Sequence, residues 1–382
     1  MKKILIIHNK YQNIGGEDIA VDNEVSLLKN YFEVETLFYS NNISNYLSQV
    51  ISFILNRNDK STKILEKKIR DFKPDVVYVH NTWFKASLGI FKLLSREKIK
   101  TIIKLHNFRY FCTKSYLSKN HFKNVEVCGA CGISKSEIGI FNKYFANSFL
   151  KSLLMVRYGR KYYNTLKNSE FKIVVLTNFH KQFLEKLEFD ENKVHVIPNY
   201  LDFNNSENVS KENCIVYAGR ISKEKGLQNL IESFLRSDIS DWDLKIFGDG
   251  PQLKELLKKY DAHNNIQFLG VKPNQEVLKN IKMSRAVITA TTLYEGQPTL
   301  LCEASTMGIP SIYPKNGGID EFFPTNYELS FNLSENQDLI AKMNSLNDEK
   351  YIDEIGMKNQ NFIYECLKKD KIMQRFNRII HD

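Results

Sequence analysis

Twelve short runs rich in β-branched and aromatic residues, separated by amphipathic stretches, constrain this chain more than any other feature. "KILIIH" from Lys3, "VETLFY" from Val34, "DVVYVH" from Asp75, "TIIKLH" from Thr101, "KIVVLT" from Lys172 and "VHVIPN" from Val194 form a first set. "CIVYAG" from Cys214, "LKIFGDG" from Leu244, "IQFLG" from Ile266, "AVITAT" from Ala286, "PSIYP" from Pro310 and a weaker "ELSF" from Glu328 form a second. Strand patterns alternating with helical ones are the signature of parallel α/β units. The rhythm pauses in the Asn- and Ser-rich "IPNYLDFNNSENVSKEN" and restarts at Cys214. At 382 residues the chain exceeds the usual size of one core. The expectation is α/β, with two doubly wound, Rossmann-like domains facing across a cleft: an acceptor-binding domain over 1–200 and a donor-binding domain over 201–355. A helical tail over 356–382 is expected to pack back towards the first.

The opening "MKKILIIHNK" has only four apolar residues before His8, short of a secretory core, and reads as a buried strand. No stretch approaches the roughly 20 apolar residues of a membrane span, so a cytoplasmic protein is expected. Six cysteines in so long a chain do not make a disulfide scaffold. The net charge of +10 is concentrated between Asn81 and Glu170, where seventeen Lys or Arg face four acids. Within that block "FNKYFANSFLKSLLMVRYGRKYYN" mixes aromatic and aliphatic residues with cations. It reads either as a helix for peripheral contact with an anionic membrane, on the inner face of the plasma membrane, or as a basic helix whose apolar side is core. No nucleic-acid module accompanies it, so nucleic acid is not expected as a partner.

The chemistry is concentrated in the second half. "VYAGRISKEKG" presents Arg220 and Lys225 at the end of a strand, two cations suited to a diphosphate. "IFGDGP" leaves another strand through Gly248, Asp249 and Gly250, a turn that lets a ligand approach backbone. "YEGQPTLLCEASTMG" runs Glu295, Gly296 and Gln297 into Pro298, predicted near the first helical position, and a helix closed by Gly308. The amides near Thr299 and Leu300 suit phosphate. Glu303 lies about 7 Å along that helix at roughly 1.5 Å per residue, leaning towards the same end. Carboxylates repel phosphate but bind hydroxyls. A diphosphate between two polyhydroxylated ends satisfies every group, which describes a nucleotide diphosphate sugar.

"GRISKEKG", "FGDGP", "FLG" and "EGQPTLLCEASTMGIPSI" resemble the donor-domain signature of family 4 retaining glycosyltransferases, of GT-B fold and the surface-polysaccharide type. The resemblance implies that Glu303 holds the ribose, Glu295 the donor sugar, and Arg220 with Lys225 the diphosphate, with Phe268 to Val271 near the base. It implies His106, in "KLHNFR", near the reaction centre, so that His106, Glu295, Arg220 and Lys225 form the catalytic set. Gly16, after the first strand, offers its amide to the donor phosphates. His80, Asn107 and Arg109 are the expected acceptor contacts. Cys112, Cys128 and Cys131 supply three thiols, short of a closed zinc site unless His121 completes it, so no metal is expected. The cations supplied by the protein and the lack of an Asp-x-Asp motif at the cleft-facing loops point the same way, and no cofactor is expected. The implied activity is retaining transfer of a hexose or N-acetylhexosamine to a polyprenyl-diphosphate-linked saccharide in capsule, O-antigen or exopolysaccharide assembly. A nucleotide-sugar epimerase of the same fold and a non-catalytic partner subunit are the alternatives.

Overall fold

The structure is a computed structural model that describes residues 1–10, 16–40, 51–52, 54–83, 85–108, 148–201, 203 and 209–381. The chain divides into two compact units: residues up to Leu201 together with Lys369–Asp382, and the residues from Asp202 to Lys368.

The first unit is built on a six-stranded parallel sheet of β1 (Lys3–Lys10), β2 (Glu33–Ser40), β3 (Val76–Val79), β4 (Lys100–Leu105), β5 (Lys172–Val175) and β6 (Val194–Val196). Its spatial order is β2-β1-β3-β4-β5-β6. Ile4 to Ile7 and Val76 to Val79 are buried on both faces, as the continuous apolar runs of a covered parallel sheet require. The chain moves from β1 outward to β2, then returns to β3 on the other side. The carboxyl ends of β1 and β3 therefore flank a topological switch point, the usual ligand position in such sheets. The helix α1 (Gly16–Leu28) follows β1.

Three charged or polar groups are buried beside these strands. Lys104 Nζ on β4 lies 2.9 Å from Glu24 Oε2 on α1, both almost wholly buried, and the Tyr78 hydroxyl donates to Glu24 Oε1 at 2.9 Å. Burial lowers the Lys104 pKa, and Glu24 opposes that shift. Removing either charge would leave the other uncompensated in the core.

The second unit repeats the plan with β7 (Cys214–Ala218), β8 (Asp243–Phe247), β9 (Ile266–Gly270), β10 (Ala286–Ile288), β11 (Ser311–Pro314) and β12 (Ser330–Phe331), in the order β12-β11-β10-β7-β8-β9. All pairings are parallel. Here the switch point lies between β7 and β10. All twelve apolar runs of the sequence form strands.

The tail differs from the expectation of a break at residue 356. One helix, Glu349–Cys366, runs through that position and stays with the second unit. The close approach of its Gly356 to the Gly308 carbonyl, where a Cβ would stand 2.0 Å away, shows how tightly it is packed there. Only the final helix, Lys369–His381, belongs to the first unit. Its Phe376 ring lies 5.2 Å from Tyr78 and 6.0 Å from Phe32, and Lys2 Nζ donates to the Ile380 carbonyl at 2.8 Å. A continuous helical period hid the change of unit.

The described part of the basic, aromatic segment lies in a helix over Phe149–Asn168, residues 141–147 being outside the described residues. Tyr158, Tyr162, Tyr163 and Leu166 are buried, so its later half is core, while Leu150 and Leu153 are exposed. No described helix is long and apolar enough to cross a membrane.

Candidate active site

At the switch point of the second sheet, three loops converge because glycine allows backbone to meet backbone. Arg220 leaves β7 exposed to solvent and makes no ion pair among the described residues. A short turn, Lys223–Lys225, then ends in Gly226 at φ +68°, where a Cβ would stand 2.2 Å from the Ala290 carbonyl. Gly248, at φ +130°, meets the Gly219 carbonyl in the same way, and Gly250 meets Ile221. The Ile221 amide donates to Asp249 O at 2.9 Å, and the Asp249 carboxylate accepts from the Gly250 amide at 2.6 Å. Asp249 is thus tied into the turn it was expected to open for a ligand.

The loop after β10 carries Glu295. The Thr292 amide and hydroxyl both donate to the Glu224 carbonyl, at 2.9 and 3.0 Å, tying this loop to the turn that bears Lys225. Lys225 Nζ lies 2.5 Å from Glu295 Oε1, which also accepts from the Thr291 hydroxyl at 3.2 Å. Gly296 and Gln297 are buried behind it. Pro298 is the N-cap rather than the first helical residue, and the helix over Thr299–Thr306 presents the amides of Thr299 and Leu300 at its free end. Glu303 lies one turn further on, half-buried; burial pushes its carboxyl up to about 7, against a hydrogen bond from Asn274. At the far end of the sheet Val271, just past β9, is 74% exposed, an apolar surface open to a ring.

Two contributors escaped sequence reasoning. Gly317, at φ +72°, pairs with Glu295 as a parallel bridge, and the Gly318 amide donates to the Glu295 carbonyl at 2.9 Å. Asn316 Nδ2 donates to the Leu293 carbonyl at 2.6 Å. The signal was the "KNGG" that closes β11, legible only once β11 is known to neighbour β10. A Cβ on Gly317 would stand 2.6 Å from Glu295 O and adopt a left-handed backbone, at a strain of about 1–3 kcal/mol. Gly317→Ala is expected to displace Glu295 and lower turnover roughly tenfold or more, with a smaller effect on melting temperature. Steady-state kinetics beside a thermal melt checks it; full activity would show that Glu295 needs no such clasp.

In the first unit His80, at the end of β3, and His106, just past β4, are bonded Nδ1 to Nε2 at 2.9 Å, their rings stacked at 5.2 Å. Burial holds both pKa values well below the ordinary histidine value, aided for His80 by His106, Lys104 and His8, and for His106 by Lys104, His8 and His180. Both rings are therefore neutral near pH 7. His80, an expected acceptor contact, is 3% exposed and lines a small cavity together with His106, Asn107 and Glu17. His8 Nε2 lies 2.8 Å from Asp18 Oδ1, a buried pair the sequence did not reveal. Asn107 Nδ2 donates to Glu17 Oε2 at 3.2 Å, next to Gly16 at the start of α1. Gly15, Arg109, Cys112, His121, Cys128 and Cys131 lie outside the described residues. Among the described residues no group of three or more His, Cys, Asp or Glu is placed to hold a metal ion.

The chain thus combines two parallel doubly wound units, one of which carries cations, a helix end and two carboxylates at its switch point. Residues 201–364 match the family described as glycosyl transferases group 1. The amylovoran biosynthesis glycosyltransferase AmsD of Erwinia amylovora is 30% identical over 152 residues, 37% of this chain and 42% of that protein. An uncharacterised glycosyltransferase of Methanocaldococcus jannaschii is 26% identical over 278 residues, 68% of this chain and 59% of its own length. The chain thus spans less than two thirds of these relatives. Among solved structures, HepE of Anabaena, in complex with UDP and glucose, superposes at a TM-score of 0.70 with 15% identity over the whole of both chains. Sucrose-phosphate synthase of Thermosynechococcus elongatus gives 0.74 at 12% identity, over 100% of this chain and 98% of that one.

Proposed function

We propose that the protein is a retaining glycosyltransferase that moves a hexose or N-acetylhexosamine from a nucleotide diphosphate sugar to a polyprenyl-diphosphate-linked saccharide in surface-polysaccharide assembly. The observation that carries this reading is the arrangement at one switch point of Arg220, Lys225, the Thr299 helix end, Glu295 and Glu303. It offers positive groups for a diphosphate and carboxylates for hydroxyls on either side. The relatives' names, one of them an amylovoran biosynthesis enzyme, and the UDP in the HepE structure support it.

Cleavage between the anomeric carbon and the phosphate leaves positive charge on the sugar and negative charge on the diphosphate. Arg220, Lys225 and the amides of Thr299 and Leu300 stabilise the leaving group, with Gly16 adding an amide. Glu303 accepts from the ribose diol, Glu295 from sugar hydroxyls, and exposed Val271 lies against the base. His106, neutral and held by His80, donates or accepts a hydrogen bond at the reacting sugar; Asn107 and Arg109 contact the acceptor. The donor phosphate takes the acceptor proton, and no metal is required. The exposed Leu150 and Leu153, on a helix rich in Lys and Arg, suit peripheral contact with an anionic cytoplasmic membrane face.

Nucleotide sugars screened by thermal shift, the best one then offered to polyprenyl-linked acceptors with anomeric configuration followed by NMR, test the proposal. The expected result is one stabilising donor and transfer with retention. Inversion, or turnover of donor to an epimer without acceptor, would overturn it.

A further inference from the structure

The donor groups in the second unit are not equally available. Arg220 is exposed and makes no ion pair among the described residues. Lys225, by contrast, is engaged with Glu295 at 2.5 Å, their side chains 26% and 28% exposed. The backbones on both sides are pinned: the Lys225 amide donates to Ser222 O at 2.9 Å, the Thr292 amide to Glu224 O, and the Gly318 amide to Glu295 O. Thr291 adds a hydrogen bond to the same carboxylate oxygen that Lys225 holds. The fixed loops therefore keep the two charged side chains together, and only their flexible ends can part. Tyr217, whose phenol is pushed up by burial and by Glu295 and Glu224, adds no countercharge there.

Resting on the donor-site reading above, we infer that the Lys225–Glu295 ion pair competes with the diphosphate for Lys225 and makes the site discriminate the intact donor from the sugar-free nucleoside diphosphate. A donor carrying its sugar presents hydroxyls that satisfy Glu295 while its phosphates take Lys225, so both partners of the broken pair are re-paired. A nucleoside diphosphate takes Lys225 and leaves a half-buried carboxylate without its cation. After transfer the loss of the sugar restores the competition, Glu295 recaptures Lys225, and the product is released.

The test is calorimetric titration of the intact protein and of Glu295→Gln with UDP, GDP, ADP and inorganic pyrophosphate. Glutamine keeps the size and the Thr291 hydrogen bond while removing the charge. The expected result is that Glu295→Gln binds the preferred diphosphate roughly fivefold tighter than the wild type. The double variant Glu295→Gln/Lys225→Gln is expected to lose that gain. The ratio of donor to nucleoside diphosphate affinity should fall in Glu295→Gln. Should that variant melt early, Glu295→Asp, one methylene short of Lys225, replaces it with the same expectation. Equal or weaker diphosphate binding by the folded variant overturns this inference alone; no binding of any of the four probes by either protein overturns it together with the donor-site reading.

Discussion

Replacing Lys104 by methionine is expected to destabilise the protein by about 3–5 kcal/mol, because it leaves Glu24 charged, buried and without its cation. The Tyr78 hydroxyl still donates to Glu24, yet one neutral hydrogen bond does not balance a desolvated carboxylate. Combining Lys104→Met with Glu24→Leu removes both charges, and the double variant should recover most of the loss. The sign of the interaction in this double-mutant cycle is the diagnostic quantity. Urea unfolding followed by circular dichroism measures it, and since the fold has two units, the transition of the first must be resolved from that of the second. Additive losses would mean that the pair is not coupled. A second consequence concerns the histidines. Lys104 contributes to holding His80 and His106 neutral, so its removal should raise the pKa of both towards the ordinary value. Histidine ring resonances followed by NMR against pH read this directly, independently of stability.

How this pair escaped notice shows what a sequence can carry. "TIIKLH" reads as a strand, and nothing in it says whether its lysine is exposed or buried. It is buried because Glu24, eighty residues earlier in the chain, occupies the facing helix. Nothing local reports such a partnership. The twelve strands were legible because each is decided by its own β-branched composition. Glu295 and Glu303 were legible because the helix start between them fixes their spacing. The clasp of Gly317 on Glu295 and the support of His106 by His80 needed the order of strands in the sheet, which joins segments that are distant in sequence. The end of the second unit was misjudged for the opposite reason, since a smooth helical period across residue 356 carries no mark of which core it faces.

The second large effect is expected at Glu303, where function and stability should move in opposite directions. Its carboxyl ionises at about 7 in the folded protein against an ordinary value of 4.5, because it is buried near the helix end with only Asn274 to favour the charge. Between those two values the folded state binds more protons than the unfolded one. The stability present below pH 4.5 is therefore lost as pH rises through about 7, by an amount on the order of 3 kcal/mol at most. Glu303→Gln removes the ionisation while keeping a group that can bond Asn274. It should match the wild type near pH 4.5, become progressively more stable between pH 5 and 7, and hold a constant advantage above that. The same substitution should weaken donor binding by about a hundredfold, since a ribose diol prefers a charged acceptor. In the wild type, hydroxyls bonded to Glu303 favour its ionised form, so donor binding releases a proton and affinity rises with pH up to about 7, then levels. In Glu303→Gln that rise should vanish. Melting curves and donor titrations from pH 5 to 8, with calorimetry in two buffers of different ionisation enthalpy to count the proton, decide the matter. A variant that binds donor as tightly as the wild type, or shows no pH-dependent gain in stability, would remove Glu303 from the ribose.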